Sequence, residues 1–447
     1  MVSYSPLFSS PSHWKQLILS KRSLIASVFL LFSFLGLSEL LFERGLSSRI
    51  LSSLTPTSSA VQPPLSCSNL FEPSSFQHST PRPTYPRKAN ATFLTLARNS
   101  DLAGVVHSMK QVEGRFNRDR HYPWVFLNDE PFTEEFIRCT SAVTSAKTYY
   151  GQIPREQWVQ PDFIDEERAT KARKALSKIR GVFYADSVSY RNMCRFYSGF
   201  FYRQPLLQNF KYYWRVEPDI NYRCEIEYDP FLYMEDNNKA YGFTISVPEQ
   251  KETTPTLWDT SMEFFNQNPH YLHPNNAMRF ASKDGGNTWT RCTYWTNFEI
   301  GDLDFFRGSE GYNKYFEHLE TAGGFYYERW GDAPMHGIAI SLLLDRDRIH
   351  HFDDIAYEHT GWEQCPDPST PAYERGRCHC DYDNSMAVKW KSGLLLRAVC
   401  RPLSALGSRK SAALPAQTQA NQQLPQSHTS TPLHGQAGHG IIDAYDA

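Results

Sequence analysis

The sequence predicts an α/β domain: a mixed, mainly parallel sheet flanked by helices. Three observations carry this reading. Short apolar runs end in polar loops and give way to helical patterns, that unit repeats along the chain, and a buried strand runs straight into a Glu-Pro-Asp turn. The 447 residues are 40% hydrophobic and 14% aromatic, enough for a sizeable core. Lys+Arg 46 against Asp+Glu 48 leaves a net charge of -2, without the basic excess that nucleic-acid binding requires.

Taken in order, residues 1–22 read as a short cytoplasmic tail carrying Lys15, Lys21 and Arg22. Residues 23–42, "SLIASVFLLFSFLGLSELLF", are apolar except for small hydroxyls and Glu39, and at 1.5 Å per residue they cover about 30 Å, the thickness of a bilayer core. The cationic bias before this run places the N-terminus in the cytoplasm and makes the run an uncleaved signal-anchor. The alternative is a cleaved signal peptide, against which stand the length of the run and the lack of a clean small-residue cleavage site. Residues 43–90 are rich in Ser, Thr and Pro and read as a stem.

The folded lumenal domain is expected over 91–395 and a divergent, disordered tail over 396–447. Asn90-Ala91-Thr92 is a glycosylation sequon at the stem boundary. Nine cysteines suit a secretory-pathway domain and leave at least one unpaired. Cys365, Cys378 and Cys380 allow a zinc reading, but without a CxxC pair disulfides are expected instead.

Within the domain, the run Phe93–Ala97 reads as a strand and Leu102, Val105, Val106 and Met109 as one face of a helix. Trp124–Leu127 repeats the strand, and Thr133 is expected to cap a helix with Glu134 and Glu135 in its first turn. The charged segment 165–180 reads as a solvated helix. "YYWRVEPDI" reads as a buried strand entering a turn, and residues 239–247, "KAYGFTISV", as one further strand. In such sheets ligands gather at the carboxyl ends of strands, where Glu217-Pro218-Asp219 falls.

A proline between two carboxylates is ordinary turn punctuation. The same pair of hard oxygen ligands after a buried strand also suits Mn²⁺ or Mg²⁺ neutralising a diphosphate leaving group, as a nucleotide-sugar transferase needs.

Four segments decide between these readings: "YRNMCRFYSG", "YWRVEPD", "TNFEIGDL" and "RWGDAPMHGIA", in that order. With them the chain resembles the fungal Golgi α-1,2-mannosyltransferases of glycosyltransferase family 15, over residues from about 90 to about 380. The resemblance implies a GT-A-type nucleotide-sugar transferase fold, GDP-mannose as donor, Mn²⁺ as cofactor, and retaining transfer of mannose to mannoside acceptors on N- or O-linked glycans of glycoproteins. It implies a Golgi membrane protein held by one N-terminal helix. Glu217 and His359 would ligate Mn²⁺, and Asp219 would support the metal or the ribose. Glu299 would lie beneath the anomeric carbon, as nucleophile or as stabiliser of front-face transfer, and Asp332 would orient donor sugar or acceptor. Arg98, Tyr190 and Arg195 would meet GDP. His350 and His351 compete with His359 for the ligand role, and His336 reads as structural.

Two other classes compete. A catalytically inactive, membrane-anchored carbohydrate-binding protein would keep the fold without the full set Glu217, Glu299, Asp332 and His359. A glycoside hydrolase would use paired carboxylates but has no need of a metal triplet or phosphate-facing arginines.

Overall fold

The structure is a computed structural model in which residues 87–386 and Cys400 are described. The expected cytoplasmic tail, signal-anchor and almost all of the stem lie outside the described residues, as does the C-terminal tail apart from Cys400. No helix among the described residues is long and apolar enough to cross a membrane.

The fold starts where the apolar pattern starts. Strand β1, Ala91–Leu96, is followed by helix α1, Leu102–Arg115, whose Leu102, Val105, Val106 and Met109 are all buried. Strand β2, Trp124–Asn128, leads to α2, Glu134–Val143, where Thr133 accepts from the Phe136 amide as the N-cap. After β3, Thr148–Gln152, come α3, Glu166–Leu176, and α4, Val188–Gly199. Strands β4, Tyr212–Val216, and β5, Asn221–Tyr222, flank the Glu-Pro-Asp turn.

The expected single strand over 239–247 is two strands. β6, Tyr241–Phe243, joins the main sheet, whereas β7, Ser246–Pro248, pairs with β8, Cys292–Tyr294, in a separate two-stranded sheet. An unbroken β-favouring composition conceals the change of partner, because propensity does not encode pairing. Then follow β9, Phe298–Asp302, α5, Glu310–Ala322, α6, Asp332–Leu343, and the short strands β10, Ile349–His351, β11, Tyr357–His359, and β12, Trp362–Gln364.

The main sheet has the order β10-β6-β9-β4-β1-β2-β3. All neighbours are parallel except β9, which runs antiparallel to β4 and β6. This is the mixed, mainly parallel sheet expected. The reversal matters for function, because it brings the start of β9 to the same edge as the end of β4, with Val216 opposite Phe298. A small sheet, β12-β11-β5, folds over that edge.

Disulfides Cys224–Cys378, Cys365–Cys380 and Cys292–Cys400 bind the later chain to this frame, and Cys194 is free and buried. The one cluster among the described residues that satisfies metal-ligand spacing, Cys224, Cys378 and Cys380, is thus made of cystines. Cys224 and Cys378 are 154 residues apart. Closing a loop of that size removes about 4–5 kcal/mol of chain entropy from the unfolded state. Reduction with dithiothreitol is therefore expected to lower the unfolding midpoint by roughly 10 °C, read by circular dichroism.

Candidate active site at the end of the fourth strand

The site grows out of a charge inside an apolar strand. Tyr212, Tyr213, Trp214 and Val216 of β4 are buried apolar or aromatic side chains, and Arg215 among them is only 3% exposed. A buried cation is costly unless paired. Arg215 pairs in two directions: its Nε donates to Glu217 at 2.6 Å and its Nη1 to Asp332 at 2.6 Å. Its guanidinium also lies 3.5 Å from the centre of the Tyr197 ring and 3.9 Å from Glu299. Burial opposes its charge, but Glu217, Asp332 and Glu299 hold it ionised well above the usual range.

Asp332 opens α6. It was expected to orient donor sugar or acceptor. Gly331 occupies the cap position, and the Asp332 carboxylate accepts from Arg215 and, at 2.8 Å, from the Thr296 hydroxyl. Burial pushes its pKa up, yet Arg215, His336 and the two hydrogen bonds outweigh it, so the acid is held below the usual carboxylate range.

Glu299 lies on β9 directly opposite Arg215 and is fully buried. Tyr213 donates to one oxygen and Tyr241 to the other, each at 2.9 Å, and His336 Nδ1 stands 3.2 Å from the second. Glu299, expected beneath the anomeric carbon, is enclosed among neighbouring side chains. Its side chain is closed off by aromatic hydroxyls and has no exposed surface. His336, read as structural, is an integral part of this enclosure.

The other nitrogen of His336 faces the Tyr197 carbonyl at 3.1 Å, so both ring nitrogens meet acceptors.

The candidate metal ligands Glu217 and His359 are half-buried. Glu217 follows β4, and His359 ends β11, which pairs with β5 just past the turn through Tyr357–Tyr222 and Glu358–Asn221. Pairing thus sets His359 beside the Glu-Pro-Asp segment. His359 Nδ1 is 3.0 Å from the Asn297 amide group. As placed, the Asn297 Nδ2 donates to His359 Nδ1 and fixes the orientation of the ring. One carboxylate and one imidazole fit Mn²⁺. His350 and His351 sit on β10 instead, with His351 Nε2 at 2.7 Å from the Thr244 carbonyl.

Glu217-Pro218-Asp219 is both a turn and part of the site. Asp219 has φ 61° and donates its amide to the Gly104 carbonyl at 3.1 Å. A Cβ on Gly104 would meet the Asp219 carboxylate at 2.7 Å, so glycine is required for this approach. The carboxylate rests on the first turn of α1, where the helix dipole favours an anion.

Arg98 follows β1 and is exposed. Its Nη2 donates to Ser189 Oγ at 2.9 Å, which brings it to the start of α4 beside Tyr190. Tyr190 stacks on Tyr184 at 4.7 Å, and the Arg329 guanidinium lies 5.1 Å from its ring. Arg195 is not brought to this cluster. It is buried, donates to Glu320 at 2.7 Å and to the Val159 carbonyl at 3.2 Å, and so bridges α4 to α5. Five residues along a helix turn through about 140° from Tyr190, so the two side chains cannot face one ligand together.

Sequence reasoning missed Arg215, Thr296, Asn297 and the pair Arg329–Glu249, whose nearest atoms are 3.8 Å apart. Burial raises the pKa of Glu249 despite Arg329. For Arg215 the signal was present, a lone cation within a buried aromatic strand. For Asn297 there was none.

Comparison with known proteins agrees with this geometry. The family described as glycolipid 2-alpha-mannosyltransferase, glycosyltransferase family 15, matches residues 63–394. Glycolipid 2-alpha-mannosyltransferase 2 of Candida albicans is 53% identical over 307 residues, which is 69% of this chain and 66% of that protein. Core-mannan synthase A of Aspergillus fumigatus, solved in its Mn/GDP form, superposes with TM-score 0.62 at 41% identity, covering 70% of this chain and 86% of that one. A Saccharomyces cerevisiae mannosyltransferase solved with GDP gives TM-score 0.64 at 40% identity, covering 70% and 84%. With the family matched over most of its length, the chain belongs to glycosyltransferase family 15, the glycolipid 2-alpha-mannosyltransferase family.

Proposed function

We propose that this protein is a retaining α-1,2-mannosyltransferase that moves mannose from GDP-mannose to a mannoside acceptor. The observation that carries the reading is the joining of Glu217, Arg215 and Asp332 at the carboxyl end of β4, with His359 beside them, in a chain of this family. Mn²⁺, when bound, neutralises the diphosphate leaving group. Glu217 and His359 hold it. Arg98 and Tyr190 orient the nucleotide from the β1 side, while Asp219 fixes the turn that aims Glu217. Arg215 holds Glu217 and Asp332 in register, keeping Asp332 ionised to orient sugar hydroxyls. Glu299 sets the charge and position of Arg215 from behind. An inactive carbohydrate binder would have no use for this buried charge arrangement.

The reading extends to the Golgi lumen, with residues 23–42 as a type II anchor and acceptors on glycoproteins. The disulfides support an oxidising compartment.

The test is GDP release by the full-length protein with GDP-mannose and methyl α-mannoside, with and without Mn²⁺, beside Glu217→Ala. Turnover is expected to require Mn²⁺ and to fall in the variant by more than about 100-fold, beyond what loss of an outer-shell partner costs. Full activity of a folded Glu217→Ala would return the triplet to a plain turn.

A further inference from the structure

Beside His359 stands an aromatic pair that this reading leaves without a task. Thr360 and Gly361 have φ 50° and 81°, the left-handed pair of a two-residue hairpin turn, and this closes β11 onto β12 with His359 directly opposite Trp362. Directly opposed residues project from the same face of a sheet. Trp295, three residues before β9, links the two: its ring centroid is 5.8 Å from that of His359 and 5.8 Å from that of Trp362. Trp362 is nevertheless 39% exposed, an unusual position for an indole.

We propose that Trp362, seated on Trp295, is the platform on which the acceptor mannoside stacks, so that it determines acceptor affinity; this rests on the transferase reading above. Sheet order supports the assignment. Arg98, Ser189 and Tyr190 stand at the end of β1, and β9 flanks β4 on the opposite side. Neighbouring strands are about 4.8 Å apart, so the two sides are separated by about 10 Å with Glu217 between them. The β1 side has its own aromatic pair, Tyr184 on Tyr190, with Arg98 nearby to meet phosphate. A nucleotide is provided for there. The Trp295–Trp362 side has aromatic faces and no arginine in these contacts, which suits a neutral sugar ring with apolar C–H patches rather than a phosphate. The diphosphate, bound through the Mn²⁺ that Glu217 and His359 would hold, would put the transferred mannose between the two sides.

The experiment compares full-length wild type, Trp362→Ala and Trp362→Phe, measuring KM for methyl α-mannoside, KM for GDP-mannose, and GDP release without acceptor. Trp362→Ala is expected to raise the acceptor KM about tenfold, a stacked ring's worth of affinity, while the donor KM and acceptor-free GDP release stay within about twofold. Trp362→Phe, which keeps a ring, is expected to recover most of the loss. An unchanged acceptor KM in an active Trp362→Ala overturns the platform and leaves the transferase reading intact. An equal rise in both KM values overturns it as well, because the hairpin would then be acting through His359.

Tryptophan fluorescence with Mn²⁺, GDP and methyl α-mannoside decides the matter without turnover. Loss of the sugar-dependent change in Trp362→Ala, with the GDP-dependent change retained, supports the platform. A sugar titration with the same midpoint in both proteins overturns it. Absence of GDP release by wild type would count against the transferase reading alone.

Discussion

Replacing Arg215 by methionine is expected to abolish turnover and to cost about 3–5 kcal/mol of stability, the usual result of removing one partner from a buried charge cluster. Glu217, Asp332 and Glu299 would lose their common counter-charge, and two of them would also lose a 2.6 Å hydrogen bond. Arg215→Lys is expected to recover little. The guanidinium serves Glu217 through Nε and Asp332 through Nη1, and a single ammonium cannot reproduce that fixed fork. Urea unfolding followed by fluorescence gives the stability change, and GDP release gives the activity. A methionine variant as stable and active as wild type would falsify the assignment of Arg215 as the hub.

Glu299→Gln is the second large effect. It is expected to lower stability by about 2–3 kcal/mol and turnover by at least about 100-fold together, because the amide nitrogen puts a donor where either Tyr213 or Tyr241 already donates. Restoring activity by a tyrosine-to-phenylalanine change at Tyr241, which removes one competing donor, would support a positioning role. Loss of activity at full stability would instead mean that the carboxylate acts on the reacting sugar itself. The two measurements are the same urea titration and the same GDP assay.

Thr133 was legible as a cap, and the α1 face was legible from Leu102, Val105, Val106 and Met109, because both depend on neighbours within a few positions. The Glu-Pro-Asp turn at a strand end was legible for the same reason. The pairing of Arg195 was not legible, because its partner, Glu320, lies 125 residues away, and nothing local distinguishes a ligand-facing arginine from a satisfied one. The enclosure of Glu299 was likewise invisible, since Tyr213, Tyr241 and His336 come from three separate elements. The reversal of β9, which puts Trp295 and Asn297 at the active edge, is a property of topology and has no local signature.

The Cys292–Cys400 crosslink carries a practical consequence for the chain's end. The family match stops at residue 394, six positions short of Cys400, and a fragment trimmed to that boundary would discard half of a covalent bond. The orphaned half would be Cys292, a buried residue three positions upstream of Trp295. Homology alone would therefore set the cut in the wrong place, and any shortened version meant for assay or crystallisation has to run to residue 400 or beyond to keep the strand that feeds the active edge fastened.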